Sequence, residues 1–409
     1  MLVIRGGTVV TPSTSAPADV VIGEDGRIEG VVPAGSAGIE QTKGNVTVDA
    51  GGLFVLPGMV DAHVHLQEPG REDWEGLDSG TAAAAAGGVT TVVDMPIDCD
   101  PPTITVAAVA AKAEAVRRHS RVDVAMWGGL VPASVAELDA MADAGVAGFK
   151  AFACPSGWDD FPPVDEPALR AGMAVAARRN LPVAVHCELA ALGHGIDSEV
   201  AAVRWAARLA SEAGARLHVV HASSAAAVVE ARRWPGVTVE TCAHYLLLDD
   251  QAGAHCFPPI RDAENQAALW KQLHAGAINC LASDHSPCPP SMKPGWAGLE
   301  EIGMTLPLLL SRLAMPTLVR LATTAATILR LPAKGSLTTG ADGDIVLVDP
   351  MSEWDVGTDT LWTRHRMSPF AGWRVRGRVV RTFVRGRTVF TLDDGPGPPG
   401  GGMVVRPSA

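Results

Sequence analysis

The sequence predicts an α/β protein: a TIM-type (β/α)8 barrel carrying a composite β-sandwich domain formed by both chain ends. Two observations predict it. Apolar strand-like runs alternate with alanine-rich helical stretches through the middle of the chain, while both ends carry β-type runs broken by Gly and Pro. A third agrees with them. The histidines and acids of chemical interest follow the central apolar runs, and a barrel of this kind carries its chemistry at the C-terminal ends of its strands.

Taken in order, LVIRGGTVV, ADVVIGEDGRIEGVV and TVDAGGLFVLPG read as short strands joined by tight turns. The texture then changes. TTVVDMP, VAMWGGL, AGFKAFA, PVAVHCE, RLHVVHASS, VTVETCAHY and NCLASDHSP are buried strands. Between them lie helices such as ITVAAVAAKAEAVRRH, SVAELDAMADAG and SEVAAVRWAARLASEAG. Eight such units close a barrel. DIVLVDP and WRVRGRVVRTFVRGRTVF return to the β texture. The β module therefore takes residues 1–55 and 335–409, and the barrel takes 56–334. The tail from Asp393, rich in Gly and Pro, is expected to be loose.

Composition excludes several classes. A chain of 409 residues with 47% hydrophobic residues can bury a large core, and 19% charged residues without a long charge run argue against disorder. A net charge of −12 with no basic footprint leaves no nucleic-acid partner. No stretch long enough to span a membrane is free of Gly, Pro and charge, and MLVIRGGTVV is interrupted by Arg5 and Gly6 before it can act as a signal peptide. Seven cysteines without paired spacing read as reduced thiols of a cytoplasmic protein.

The candidate chemistry begins at MVDAHVHLQEPG. His63 and His65 are two apart, so on a strand both imidazoles face one side and can meet one metal ion. A bare pair of this kind is more often two ordinary histidines. His186 in PVAVHCE and His221 in RLHVVHASS each follow a later strand, and each alone fits a core histidine equally well. Asp284 in SDHSP fits a helix cap, or a ligand and proton shuttle. Lys150 in AGFKAFA is costly to bury as a cation. It is either a snorkelling surface lysine or one converted by carbon dioxide to an anionic carbamate that can bridge two metals. Four histidines, a lysine and an aspartate at successive strand ends are a stronger signal than any single match.

At these residues the chain resembles the cyclic amidohydrolases: dihydroorotases, hydantoinases, dihydropyrimidinases and allantoinases. The likeness runs from LPGMVDAHVHLQEPG through KGSLTTGADGDIVLVDP. It implies two divalent ions, usually zinc, and a homo-oligomer, commonly a tetramer. His63 and His65 would hold one ion and His186 and His221 the other. Carbamylated Lys150 would bridge them, and Asp284 would complete the first site and act as the catalytic acid and base. Dihydroorotases resemble this chain less, because Gln67, Ile97 and Cys288 stand where that group holds its substrate carboxylate. Hydantoinases place a tyrosine after the lysine, whereas KAFACPSGWDDFPPV has none and the chain's single tyrosine is Tyr245.

EPGREDWEG, FKAFACPSG, VETCAHYL, PPIRDAEN and SDHSPC are similar to allantoinases, which implies hydrolysis of allantoin to allantoate. Ring opening of another cyclic amide and a non-catalytic scaffold role stay as alternatives. The stretch from His186 to His221 is shorter than in the allantoinase pattern, and Phe257 is bulkier than its counterpart. The substrate would meet main-chain groups near Phe257, Ala297 and Gly298. Ser156 is either a side-chain donor to it or a turn residue before Gly157.

Overall fold

The computed structural model describes residues 1–36 and 46–408. Five strands come first: β1 (Leu2–Val10), β2 (Ser15–Ile22), β3 (Ile28–Pro33), β4 (Val46–Asp49) and β5 (Phe54–Pro57). The barrel strands are β6 (Met59–Val64), β7 (Val89–Asp94), β8 (Asp123–Gly129), β9 (Gly148–Phe152), β10 (Pro182–His186), β11 (Arg216–Val219), β12 (Thr238–Cys242) and β13 (Cys280–Ala282). Among the described residues ten α-helices are interleaved with or follow them: α1 (Gly76–Ala86), α2 (Val106–His119), α3 (Leu138–Ala144), α4 (Glu166–Arg179), α5 (Ile196–Ala213), α6 (Ala225–Ala231), α7 (Ala243–Leu247), α8 (Ala263–His274), α9 (Thr305–Leu309) and α10 (Met315–Ile328). The chain returns to β structure in β14 (Ile345–Asp355), β15 (Arg374–Val384), β16 (Arg387–Thr391) and β17 (Gly395–Pro396).

The barrel strands pair in chain order from β6 to β13 and are parallel throughout. They are buried almost end to end, as expected for strands covered on both faces. The ring closes where Val64 bridges His285 and the His65 amide donates to the His285 carbonyl at 2.8 Å. The helices start at residues that suit a start. Thr105 caps α2, Asp165 caps α4, Ser224 caps α6 and Asp262 caps α8, each side chain accepting from a first-turn amide. The alanine run of α1 gives a thin face, and Gly87 at its end lies so close to Gly303 that a Cβ there would sit 2.1 Å from that residue's Cα.

Both chain ends feed one mostly antiparallel sheet, with strands edge to edge in the order β17, β16, β15, β14, β5, β1, β2, β3, and β4 also on β1. It packs over Ile4, Val20, Ile22, Ile28, Val55, Ile345, Leu347 and Phe383. β5 pairs with β1 and β14, so the module reaches Pro57, past the expected break after residue 55. Module and barrel are clamped by Lys334, whose buried amine lies 2.5 Å from Asp123 of β8, 2.8 Å from Asp342 and 2.9 Å from Asp344.

The tail corrects an expectation. It is not loose but docks on the barrel. The Gly400, Gly401 and Gly402 amides donate to the Ser120 carbonyl, Val404 bridges Val124, and the Val405 amide donates to the Val124 carbonyl at 2.9 Å. Glycine is needed for this closeness. A Cβ on Gly402 would lie 2.1 Å from the Val122 carbonyl oxygen.

Candidate metal centre

His63, His65, Lys150, His186, His221 and Asp284 line one cavity of about 470 Å³ at the C-terminal ends of the barrel strands. His63 is the second-to-last residue of β6 and His65 comes directly after the strand ends at Val64; Lys150 lies in β9, His186 ends β10, His221 follows β11, and Asp284 follows β13. His221 and Asp284 take φ angles of 39° and 49°, a left-handed turn that bends the chain at the strand end. Asp284 does not cap a helix, since the next one is α9, which begins at Thr305.

The inner ring atoms converge. The Asp284 Oδ1 atom lies 3.3 Å from His63 Nε2 and 3.7 Å from His65 Nε2. One donor atom from each of these three residues falls within 4.8 Å of the others, a spacing that suits a shared cation. On the other side His186 Nδ1 and His221 Nε2 are 3.0 Å apart. Two imidazole nitrogens this close either share a proton or face one ion at about 2.0–2.1 Å each. Burial, reinforced by neighbouring cations, holds His63 and His221 well below the usual histidine range, so their rings are neutral and can ligate. Burial also lowers His186 despite its Glu188 partner. His65 differs. Burial works downward there, but the Asp98 and Asp284 carboxylates lift it to about 9.

Lys150 is fully buried and its Nζ has no hydrogen-bond partner among the described residues. Nζ lies 4.9 Å from the centre of the Phe152 ring. Burial pushes its pKa down to about 8, against the pull of Asp284 and Glu240. A snorkelling surface lysine is thereby ruled out. The lowered pKa raises the share of the neutral amine near pH 7, the form that adds to carbon dioxide.

Three carboxylates complete the centre, and the sequence reading did not single them out. Glu240 of β12 receives His63 Nδ1 on Oε1 at 2.6 Å and His218 Nε2 on Oε2 at 3.0 Å. Glu188 receives His186 Nε2 at 2.7 Å. Asp98 lies 2.7 Å from His65 Nδ1, an ion-pair contact without an aligned hydrogen bond, and accepts from Trp158 Nε1 at 2.6 Å. A carboxylate on the outer nitrogen sets the tautomer and aims the inner lone pair at a cation. A glutamate inside the apolar run VTVETC was the signal for Glu240, because buried acids need a stated partner.

The substrate positions fall around the mouth. Ser156, Phe257, Ala297 and Gly298 all line the cavity. The Ser156 hydroxyl donates to the Phe161 carbonyl at 2.7 Å and accepts from the Trp158 amide at 3.2 Å, so it closes a turn. Phe257 is 39% exposed. Of the three residues at carboxylate-holding places, only Ile97 lines the cavity. Gln67 spends its amide on the Pro287 carbonyl, and Cys288 is fully buried. Lys150 is the single Lys or Arg among the lining residues.

The sequence model of the amidohydrolase family matches residues 54–389. The chain is 39% identical to an allantoinase of Solibacter usitatus, covering 100% of this chain and 97% of that one. It is 40% identical to an allantoinase of Rubrobacter xylanophilus, covering 99% and 97%. Among solved structures, an L-hydantoinase (dihydropyrimidinase) from Arthrobacter aurescens superposes with a TM-score of 0.92 at 29% identity, covering 99% of each chain. A dihydropyrimidinase from Brevibacillus agri gives 0.86 at 26% identity, covering 99% of this chain and 98% of that one. Among the described residues no helix is long and apolar enough to cross a membrane.

Proposed function

Since the chain belongs to the amidohydrolase family, we propose that it hydrolyses a cyclic amide, opening allantoin to allantoate at a two-metal centre. One observation carries the metal reading: a buried, unpartnered lysine amine among two converging histidine sets and an aspartate. His63, His65 and Asp284 would hold one divalent ion, and His186 and His221 the other, with a carbamate on Lys150 between them. Nitrogen and carboxylate donors in this number suit zinc. Bound there, such ions polarise a ring carbonyl and make a water-derived nucleophile available at neutral pH.

The chain's own groups supply the rest. Asp284 turns Oδ1 to the two imidazoles. Its Oδ2 is left to take the proton of the attacking water and return it to the ring nitrogen as the C–N bond breaks. Glu240, Asp98 and Glu188 keep the ligating rings oriented. Phe257, Ala297 and Gly298 would present the wall and main-chain groups that receive the ring, with Ser156 holding the adjoining turn.

The lining also favours a neutral ring. Dihydroorotate would bring a carboxylate into a cavity whose single lysine or arginine, Lys150, is committed to the metal bridge. Allantoin carries ureido and amide groups only. The seven cysteines are all free and buried, which supports a reducing, cytoplasmic setting, and a homo-oligomer is carried over from the resemblance. The test is a side-by-side assay of purified, metal-loaded protein on allantoin, dihydroorotate, dihydrouracil and hydantoin. Allantoin should be opened fastest. Faster opening of dihydroorotate or hydantoin would overturn the substrate, and loss of bound metal with no activity on any ring would overturn the reaction.

A further inference from the structure

The short segment after β10 carries one side chain that the metal centre does not use. His194 lines the cavity, with its ring stacked on Phe257 at a centroid distance of 4.4 Å. Its placement is built. The Arg261 guanidinium donates to the His194 carbonyl at 2.6 Å, and the Leu189 amide donates to Ser198 Oγ at 2.8 Å, which fixes the two ends of the loop. The ring is oriented as well. His194 Nδ1 lies 3.1 Å from Glu188 Oε1, while the other oxygen of Glu188 receives His186.

A carboxylate only accepts hydrogen bonds, so the shared proton at this contact belongs to His194 Nδ1. The neutral ring then presents Nε2 as an acceptor, and Nε2 has no partner among the described residues. An acceptor at the mouth, backed by a flat aromatic face, matches a planar substituent that bears N–H donors. A plain hydantoin or dihydrouracil ring has no such substituent. A ureido group has both the planarity and the donors.

We propose that His194 is a specificity-determining residue that accepts a hydrogen bond at Nε2 from the ureido substituent of the ring substrate. The proposal rests on the reaction read above, and it goes further by assigning the discrimination between ureido-bearing and bare rings to one side chain.

The test measures kcat/KM for allantoin and for hydantoin in metal-loaded wild type, His194→Phe and His194→Gln, with metal content per chain read alongside. Phenylalanine keeps the stacking and removes the acceptor. The allantoin-to-hydantoin ratio should fall roughly tenfold or more, because a site built to pair a polar group discriminates strongly by it. Glutamine, whose amide oxygen accepts, should restore part of the ratio. A ratio held within about twofold in the Phe variant overturns the proposal, whatever happens to each rate. So does a parallel fall on both rings with loss of metal, which would mean that His194 acts only through Glu188 on His186. A wild type that opens hydantoin and not allantoin defeats the substrate reading instead. His194 is then judged by allantoin's inhibition constant against hydantoin opening, and equal constants in wild type and His194→Phe overturn it.

Discussion

Replacing Lys150 by methionine should make the metal-free protein more stable and the metal-loaded protein less so. The amine is fully buried without a hydrogen bond, and its pKa is lowered from 10.5 to about 8. Each unit is worth ~1.36 kcal/mol, so holding the cation in the fold at pH 7 costs about 3 kcal/mol. Methionine fills similar volume beside Phe152 without that charge. Between pH 8 and 10.5 the unfolded chain still holds a proton that the folded chain has released. Wild-type stability therefore rises through that window, and the gap between the two proteins closes above it. Urea unfolding of chelator-treated wild type and Lys150→Met at pH 7 and at pH 10.5 measures both values. Divalent ion and bicarbonate should then reverse the order, since a ligand at 100 times its Kd adds about 2.7 kcal/mol to the protein that binds it. A metal-free Lys150→Met no more stable than wild type at pH 7, or a gap indifferent to pH, would refute the reasoning.

Three further outcomes follow from the same centre. Asp284→Asn should keep the circular dichroism spectrum and lose about 10²–10⁴ in kcat/KM, more if an ion is lost, and a variant within about threefold of wild type would contradict the proton-shuttle role. Lys150→Ala should lose one ion and most activity, and short carboxylic acids in the buffer should restore part of both; full activity without them would show that the amine is not a bridge. Glu240→Gln removes the negative partner of His63 Nδ1, so divalent-ion affinity in a chelator competition should weaken roughly 10–100-fold. Unchanged affinity would reduce Glu240 to a packing residue.

The barrel was legible because its strands are covered on both faces and so read as unbroken apolar runs, with the spacing between runs filled by alanine-rich helices. The tail was not legible. Its Gly and Pro content is the signature of a loose end, yet in the fold the same glycines let three amides approach one carbonyl. Composition reports which backbone conformations are allowed, and only the partner surface decides whether they are used. The end of the first β segment, expected after residue 55, falls inside β5 for a similar reason. FVLPGMV is one apolar run, and its division between the sheet and the barrel depends on which neighbours each half meets.

At the centre, the residues that could be read were those at strand ends whose type is unusual there: His63, His65, His186, His221, Asp284 and Lys150. Their orienting carboxylates escaped notice because orientation is a relation between distant segments. Glu240 meets His63 across 177 residues of chain, and nothing local to either announces the other. The relation nevertheless decides which ring atoms face the cavity. With Glu240 behind Nδ1, His63 turns Nε2 inward; with Glu188 behind Nε2, His186 turns Nδ1 inward. The two histidines thus offer opposite ring atoms to the same cavity because the acids behind them sit on opposite sides. The Lys150 amine makes no hydrogen bond among the described residues, and only the Phe152 ring and the fields of Asp284 and Glu240 offset its burial. Under the proposed reading, the working form of this group would differ from the one the sequence spells. A carbamate would turn the one unpaired cation of the cavity into the anion its surroundings are built to share.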